Sequence, residues 1–193
     1  MCKDQARRLV ERMKQMKDID FQNDWKLVTL FIGGNDLCRF CKDLNKHSPE
    51  AYINDIQQGL DILYKELPRT FVNLVEVLNV THVKDLNRGL ICNLLHKFEC
   101  KCAAFPEGNQ PEILKQYLDQ YQNFTQYLVN SGRYDGRDDF TVVAQPFFEE
   151  FTTPLTPKGK LDFSYLAPDC FHFSTKGHGM LIIYFKIYNI NFI

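Results

Sequence analysis

The 193-residue chain is defined first by what it lacks. It has no basic run and a formal net charge of −1, so the clustered Lys/Arg footprint of a nucleic-acid binder is missing and no nucleic-acid partner is expected. No apolar run reaches the roughly 18–20 residues that would span a bilayer. The N-terminus, Met1 to Arg12, is charged and lacks the apolar centre of a signal peptide. No internal repeat or low-complexity linker divides the chain, so one domain is expected. Its 45% hydrophobic and 13% aromatic residues are enough to build a core.

Cysteine is what the chain has in unusual number. Seven cysteines, including Cys38-x-x-Cys41 and Cys100-x-Cys102, suit an oxidising compartment or a metal site. Zinc wants two pairs at finger-like spacing. Here one residue separates the second pair and the gap between pairs is long, so no metal is expected. Cys38 and Cys41 read as a local disulfide or a free pair. A CxxC redox centre is the weaker reading, because no thioredoxin-like context accompanies it. An odd count leaves one thiol over. Two N-glycosylation acceptors, Asn79-Val80-Thr81 and Asn123-Phe124-Thr125, add to the secretory character. That character without a signal peptide suggests a chain that has lost its beginning.

Periodicity gives an alternation of helices and strands. A helix is expected over 3–17, with Ala6, Leu9, Val10, Met13 and Met16 on one stripe. After a polar break, 25–32 reads as a buried strand, with Trp25 buried at its entry. Ser48 and Pro49 start a helix as N-cap and first-turn proline, with Ile53, Ile56, Leu60, Leu63 and Tyr64 as its apolar face. A second strand is expected over 70–78. An irregular excursion follows from 79 to 110, with one short helix over 90–98. A helix over 111–128 and a third strand over 140–146 complete the series. Strands alternating with helices at this spacing predict an α/β fold with a parallel sheet.

Two short stretches carry chemistry. Gly33-Gly34-Asn35-Asp36 leaves the carboxyl end of the first strand, where open α/β sheets place their ligands. Glycine lets the backbone turn sharply there, and an Asn amide can donate to a developing oxyanion. Far downstream, Asp169-Cys170-Phe171-His172 sets a carboxylate three residues before an imidazole, close enough to hold the ring as a general base. Each stretch also has a plain reading, as a Gly-Asn turn and as a helix cap beside a packed ring. Ser174 lies on the base's own segment, where in-line attack geometry is implausible. His178 reads as a helix-start residue, and His47, His82 and His96 as solvated. Glu149 and Glu150 are neighbours that would point to opposite faces of a strand, not a shared acid–base pair.

Phe31-Ile32-Gly33-Gly34-Asn35-Asp36-Leu37-Cys38, followed by Pro168-Asp169-Cys170-Phe171-His172-Phe173-Ser174, resembles the GDSL/SGNH esterase–lipase family. More narrowly it resembles the animal phospholipase B group. The likeness takes in 24–29, 68–75 and 144–148. It implies a three-layer α/β/α, flavodoxin-like hydrolase with a Ser-Asp-His triad. By that pattern His172 is the base, Asp169 its orienting carboxylate and Asn35 an oxyanion-hole donor supported by Gly33 and Gly34. It also implies phospholipid or other acyl-ester substrates, no cofactor, and action outside the cell at a membrane surface.

The sequence departs from the pattern twice. No Gly-Asp-Ser occurs anywhere, so the nucleophilic strand that opens the family fold is missing and the strand at 26–32 is expected to present an open, aggregation-prone edge. After His178 the chain becomes Leu181-Ile182-Ile183-Tyr184-Phe185-Lys186-Ile187 and onward, residue types all encodable by A and T alone. Residues 1–180 therefore read as a partial hydrolase domain and 181–193 as an aberrant apolar tail, the mark of a partial or mis-spliced product. The alternative is a non-catalytic α/β module that binds lipid or a partner without the serine.

Overall fold

A computed structural model describes residues 2–146, 148 and 153–190. Its elements in chain order are α1 (Cys2–Gln15), β1 (Lys26–Leu30), α2 (Gly34–Leu37), α3 (Pro49–Glu66), β2 (Thr70–Val75), α4 (Gly89–Glu99), α5 (Lys101–Ala104), α6 (Gln110–Asn130), β3 (Phe140–Gln145) and α7 (Thr175–Ile190), with short 3-10 turns between some of them. The strands form one parallel sheet in the order β1-β2-β3. The chain is an α/β protein, as its alternating pattern predicts.

Strand period and helix period meet in the core. Lys26, Val28 and Leu30 pair in register with Thr70, Val72 and Leu74, and these with Phe140, Val142 and Ala144, so one face of the sheet carries one set of alternate residues. Val28, Val72, Leu74, Phe140 and Val142 pack there against Ala6 and Val10 of α1, Ile56 and Leu60 of α3, and Leu118 and Tyr121 of α6. α3 begins where expected: the Ser48 hydroxyl accepts from the Ala51 N–H, and Pro49 fills the first turn. α1 lies so close to α3 that a Cβ on Gly59 would collide with the Cys2 sulfur. Burial pushes that thiol up to about 11, and Cys2 is the odd cysteine left unbridged.

The other sheet face is covered unevenly. At its carboxyl end Val75 and Phe148 meet Phe173 and Leu181. Toward the edge, Trp25, Leu27 and Phe31 are exposed. Trp25 is therefore not buried at the strand entry; its ring lies on the surface beneath the Arg69 guanidinium. Among the described residues β1 has a strand on one side only, so the expected open edge is present. The apolar stretch from Leu181 continues α7 as far as Ile190. Glu149 and Glu150 lie outside the described residues.

The cysteines pair across the chain, not locally. Cys38 bridges Cys100, Cys41 bridges Cys102, and Cys92 bridges Cys170. The local Cys38–Cys41 pair is thus corrected: each member has a partner about sixty residues away, because α2 and α5 are brought together by folding. Two of the histidines read as solvated are buried. His96 is fully enclosed, its Nδ1 facing Asn87 Oδ1 and its Nε2 facing the Cys170 carbonyl. His47 is enclosed against Asp36. His82 is exposed as expected.

Candidate functional site

The carboxyl ends of the strands open onto a cavity of about 730 Å³, lined on one side by Gly33, Gly34, Asn35 and Asp36 and on the other by Phe171, His172 and Phe173. Two stretches more than 130 residues apart in sequence thus face one cavity. The position follows from the topology, since loops leaving the ends of parallel strands converge there.

The Gly33–Asp36 corner is rigid for identifiable reasons. Gly33 has φ +112°, a conformation L side chains rarely adopt, and a Cβ there would stand 2.8 Å from the Tyr52 ring. Asp36 accepts a 2.9 Å hydrogen bond from His47 Nδ1, which ties the corner to the loop before α3. The Tyr121 hydroxyl holds the His47 carbonyl from α6 at 2.9 Å. Asn35 remains exposed at the cavity wall, with its neighbours fixed and its own amide given no structural task among the described residues.

Asp169 and His172 meet as the sequence predicts. His172 Nδ1 and Asp169 Oδ2 are 2.8 Å apart. Asp169 Oδ1 accepts from the backbone N–H groups of Phe171 and His172 at 2.9 and 3.0 Å. Burial raises the Asp169 carboxyl, but those two N–H groups and the His172 ring outweigh it, and the group is held below its ordinary value. The loop is closed by the Ala167 N–H donating to the His172 carbonyl at 2.7 Å. Cys170 adopts φ +63° to make this turn, a left-handed backbone that costs about 1–2 kcal/mol, and its bridge to Cys92 in α4 anchors it. The His172 side chain is 63% exposed, so the rest of its ring faces outward.

Sequence reasoning missed Glu99. At the end of α4, its carboxylate comes within 4.8 Å of ligand atoms on Asp169 and His172, and its Oε2 is buried without a hydrogen-bond partner among the described residues. Those three residues could offer oxygen and nitrogen to a cation. Asp169 is already held by the His172 ring and two backbone N–H groups. No sequence signal marks Glu99, because the contact depends on the Cys92–Cys170 link.

No serine lines the cavity among the described residues. Ser48 caps α3, and the Ser131 hydroxyl donates to the Leu128 carbonyl. Ser164 donates to Asp162 and accepts from Lys176. Ser174 donates to the Ser164 carbonyl and accepts from the Gly177 N–H, as the N-cap of α7. His178 lies in the first turns of that helix, as expected.

A GDSL-like lipase/acylhydrolase family model matches residues 2–184. The chain belongs to that family. Among curated proteins it is 48% identical over 179 residues to the human protein named phospholipase B1, membrane-associated, and 47% identical over 180 residues to its mouse counterpart. Rat phospholipase B1 is 46% identical over 179 residues. Each match covers 90% of this chain and 12% of the relative. The chain therefore spans about one eighth of the length of the curated relatives it matches. Among the described residues no helix is long and apolar enough to cross a membrane.

Proposed function

We propose that this chain supplies the base side of a serine acyl-hydrolase site, acting on the acyl esters of glycerophospholipids or lysophospholipids, and that the nucleophilic serine comes from outside its 193 residues. One observation carries the reading. The hydrogen-bonded Asp169–His172 pair leaves its imidazole exposed on the same cavity as Asn35.

The mechanism follows from that placement. Asp169 fixes the His172 tautomer with Nδ1 protonated, so Nε2 is the basic atom. As a serine oxygen attacks the ester carbonyl, Nε2 takes the serine proton. The carbonyl oxygen becomes an oxyanion that the Asn35 amide can meet with a hydrogen bond. Collapse expels the alcohol, which recovers the proton from Nε2 and leaves an acyl-serine. Water then attacks the acyl carbonyl, giving its proton to Nε2, and collapse releases the carboxylic acid while the serine oxygen recovers that proton. No metal or organic cofactor enters this chemistry. The apolar wall of Leu78, Val83, Leu86, Leu161 and Phe171 suits an acyl chain better than a polar substrate.

The three bridges fit an extracellular or cell-surface setting, and a membrane surface is the natural source of such esters. Of the two glycan acceptors, Asn123 is exposed on α6, whereas Asn79 lies in the cavity wall with its side chain held by Thr81. We assign glycosylation to Asn123.

The test uses a serine-directed fluorophosphonate. The purified chain should not label. The same chain joined to a family-type strand bearing Gly-Asp-Ser should label and hydrolyse a phospholipid ester, and His172→Ala should abolish both. Labelling of the unextended chain would overturn the division of the site. The alternative, a lipid- or partner-binding module without catalysis, would be favoured if the extended chain still failed to label.

A further inference from the structure

Helix α4 is built the wrong way round for a helix of a folded domain. Leu90, Ile91, Leu94 and Phe98 are 89%, 72%, 57% and 72% exposed. At 100° per residue they fall within an arc of about 100°. Its buried residues, Cys92 and His96, lie on the opposite side. An amphipathic helix normally turns such an apolar arc inward and is held by its burial. α4 is held by other means. Cys92 is bridged to Cys170, the residue after its C-terminus, Cys100, is bridged to Cys38, and His96 faces the Cys170 carbonyl at 3.3 Å. Covalent attachment here replaces apolar packing and leaves the apolar arc presented outward.

The same attachments couple α4 to the site. Cys170 lies between Asp169 and His172, Glu99 at the helix end stands beside that pair, and Leu86, just before the helix, lines the cavity. Exposed cations border the arc: Arg88 at the helix start, Lys97 within it and Lys101 just beyond it. Scattered exposed apolar side chains are ordinary, but a contiguous apolar arc rimmed by charge marks an interaction surface.

We propose that α4 docks this protein on a phospholipid surface, with Leu90, Ile91, Leu94 and Phe98 entering the boundary between headgroups and acyl chains and Arg88, Lys97 and Lys101 meeting headgroup phosphates. An interfacial helix lies in the membrane plane with this disposition of apolar face and basic border. The basic border selects lipid over a second copy of the chain, since two copies meeting arc to arc would bring their cations together. The inference rests on the acyl-ester reading of the cavity, because docking would bring the mouth of that cavity to the lipid.

The experiment measures partition of the oxidised chain onto vesicles of diether phosphatidylcholine, with and without diether phosphatidylserine. These lipids hold no acyl ester, so binding is read apart from hydrolysis. If the catalytic reading alone fails, binding persists while the serine-extended chain stays inactive. Expected is binding that strengthens with the anionic lipid and falls roughly a hundredfold in Leu94→Ser/Phe98→Ser. Trp25→Ser/Leu27→Ser, at the exposed sheet edge, should leave it unchanged. The chain holds one tryptophan, and Trp25 emission should not shift on adding vesicles. In a Trp25→Phe/Phe98→Trp variant the emission should move to the blue. The proposal is overturned if vesicles are not bound or if binding ignores the α4 replacements. It is also overturned if Trp25 shifts instead, or if α4 mediates self-association without vesicle binding.

Discussion

The molecule holds two Asp–His pairs of nearly the same length and opposite character. His47 meets Asp36 at 2.9 Å and His172 meets Asp169 at 2.8 Å. The His47 side chain is 10% exposed and the His172 side chain 63%. His47 is enclosed where α6 meets the loop before α3, and its work is to hold the Gly33–Asp36 corner still. His172 is tethered at one nitrogen and open at the rest of its ring, on the cavity side. Carboxylate–imidazole distance alone therefore does not identify a base. What separates the two is whether the second nitrogen can reach a reacting atom.

The largest effect that would break this comparison is on catalysis. In the chain extended by a Gly-Asp-Ser strand, His172→Ala should lower kcat by about 10⁵–10⁶-fold. Asp169→Asn should cost about 10⁴-fold by freeing the wrong tautomer. His172→Ala should unfold in urea close to the parent, since its imidazole is exposed, and Asp169→Asn should lose only the modest stabilisation that its hydrogen bonds give the loop. If His47→Ala cost as much kcat as His172→Ala without loss of stability, the roles assigned to the two pairs would be reversed.

A smaller catalytic effect tests what the enclosed pair is for. Asn35→Ala should lower kcat by about 10²–10³-fold, the cost of one oxyanion donor, with little change in KM. A loss confined to KM would show Asn35 binding substrate instead.

The sequence exposes one of these pairs and hides the other for a physical reason. Asp169 and His172 are three residues apart, so a local turn brings them together. Asp36 and His47, eleven residues apart, meet only because the segment between them folds back. The helices and strands were legible from periodicity, and Ser48 with Pro49 located the start of α3 to the residue. Strand ends were not: 25–32 contracts to Lys26–Leu30, because an apolar run does not show where backbone pairing stops. Disulfide partners, the burial of His96 and the approach of Glu99 to Asp169 all depend on contacts about sixty or more residues apart. No local pattern encodes those. Trp25 was misread because a large apolar residue beside a strand usually faces a second layer, and here that part of the sheet is uncovered.

Stability should distinguish the pairs in the other direction. His47→Ala leaves the Asp36 carboxylate without its imidazole partner in a half-buried site. The expected cost is about 2 kcal/mol, or a Tm lower by roughly 4–8 °C for a chain of this size, read by thermal unfolding with the disulfides intact. Asp36→Asn should cost less, because the amide oxygen can still accept from His47.

The finest distinction is in acid. Three hydrogen bonds hold the Asp169 carboxyl below its ordinary value despite the burial that raises it. Its ionised form is therefore favoured in the folded loop over the unfolded chain. The stabilisation it gives is present in full above the ordinary carboxylate range, near pH 4, and is lost as pH falls through the lowered folded value. Urea unfolding of the parent and of Asp169→Asn should show a gap that is flat from pH 7 to about pH 4 and closes below it. A gap that instead changed near neutral pH would place the coupling on the charge of the imidazole, and would mean that the backbone N–H donors of Phe171 and His172 contribute little to holding the carboxylate.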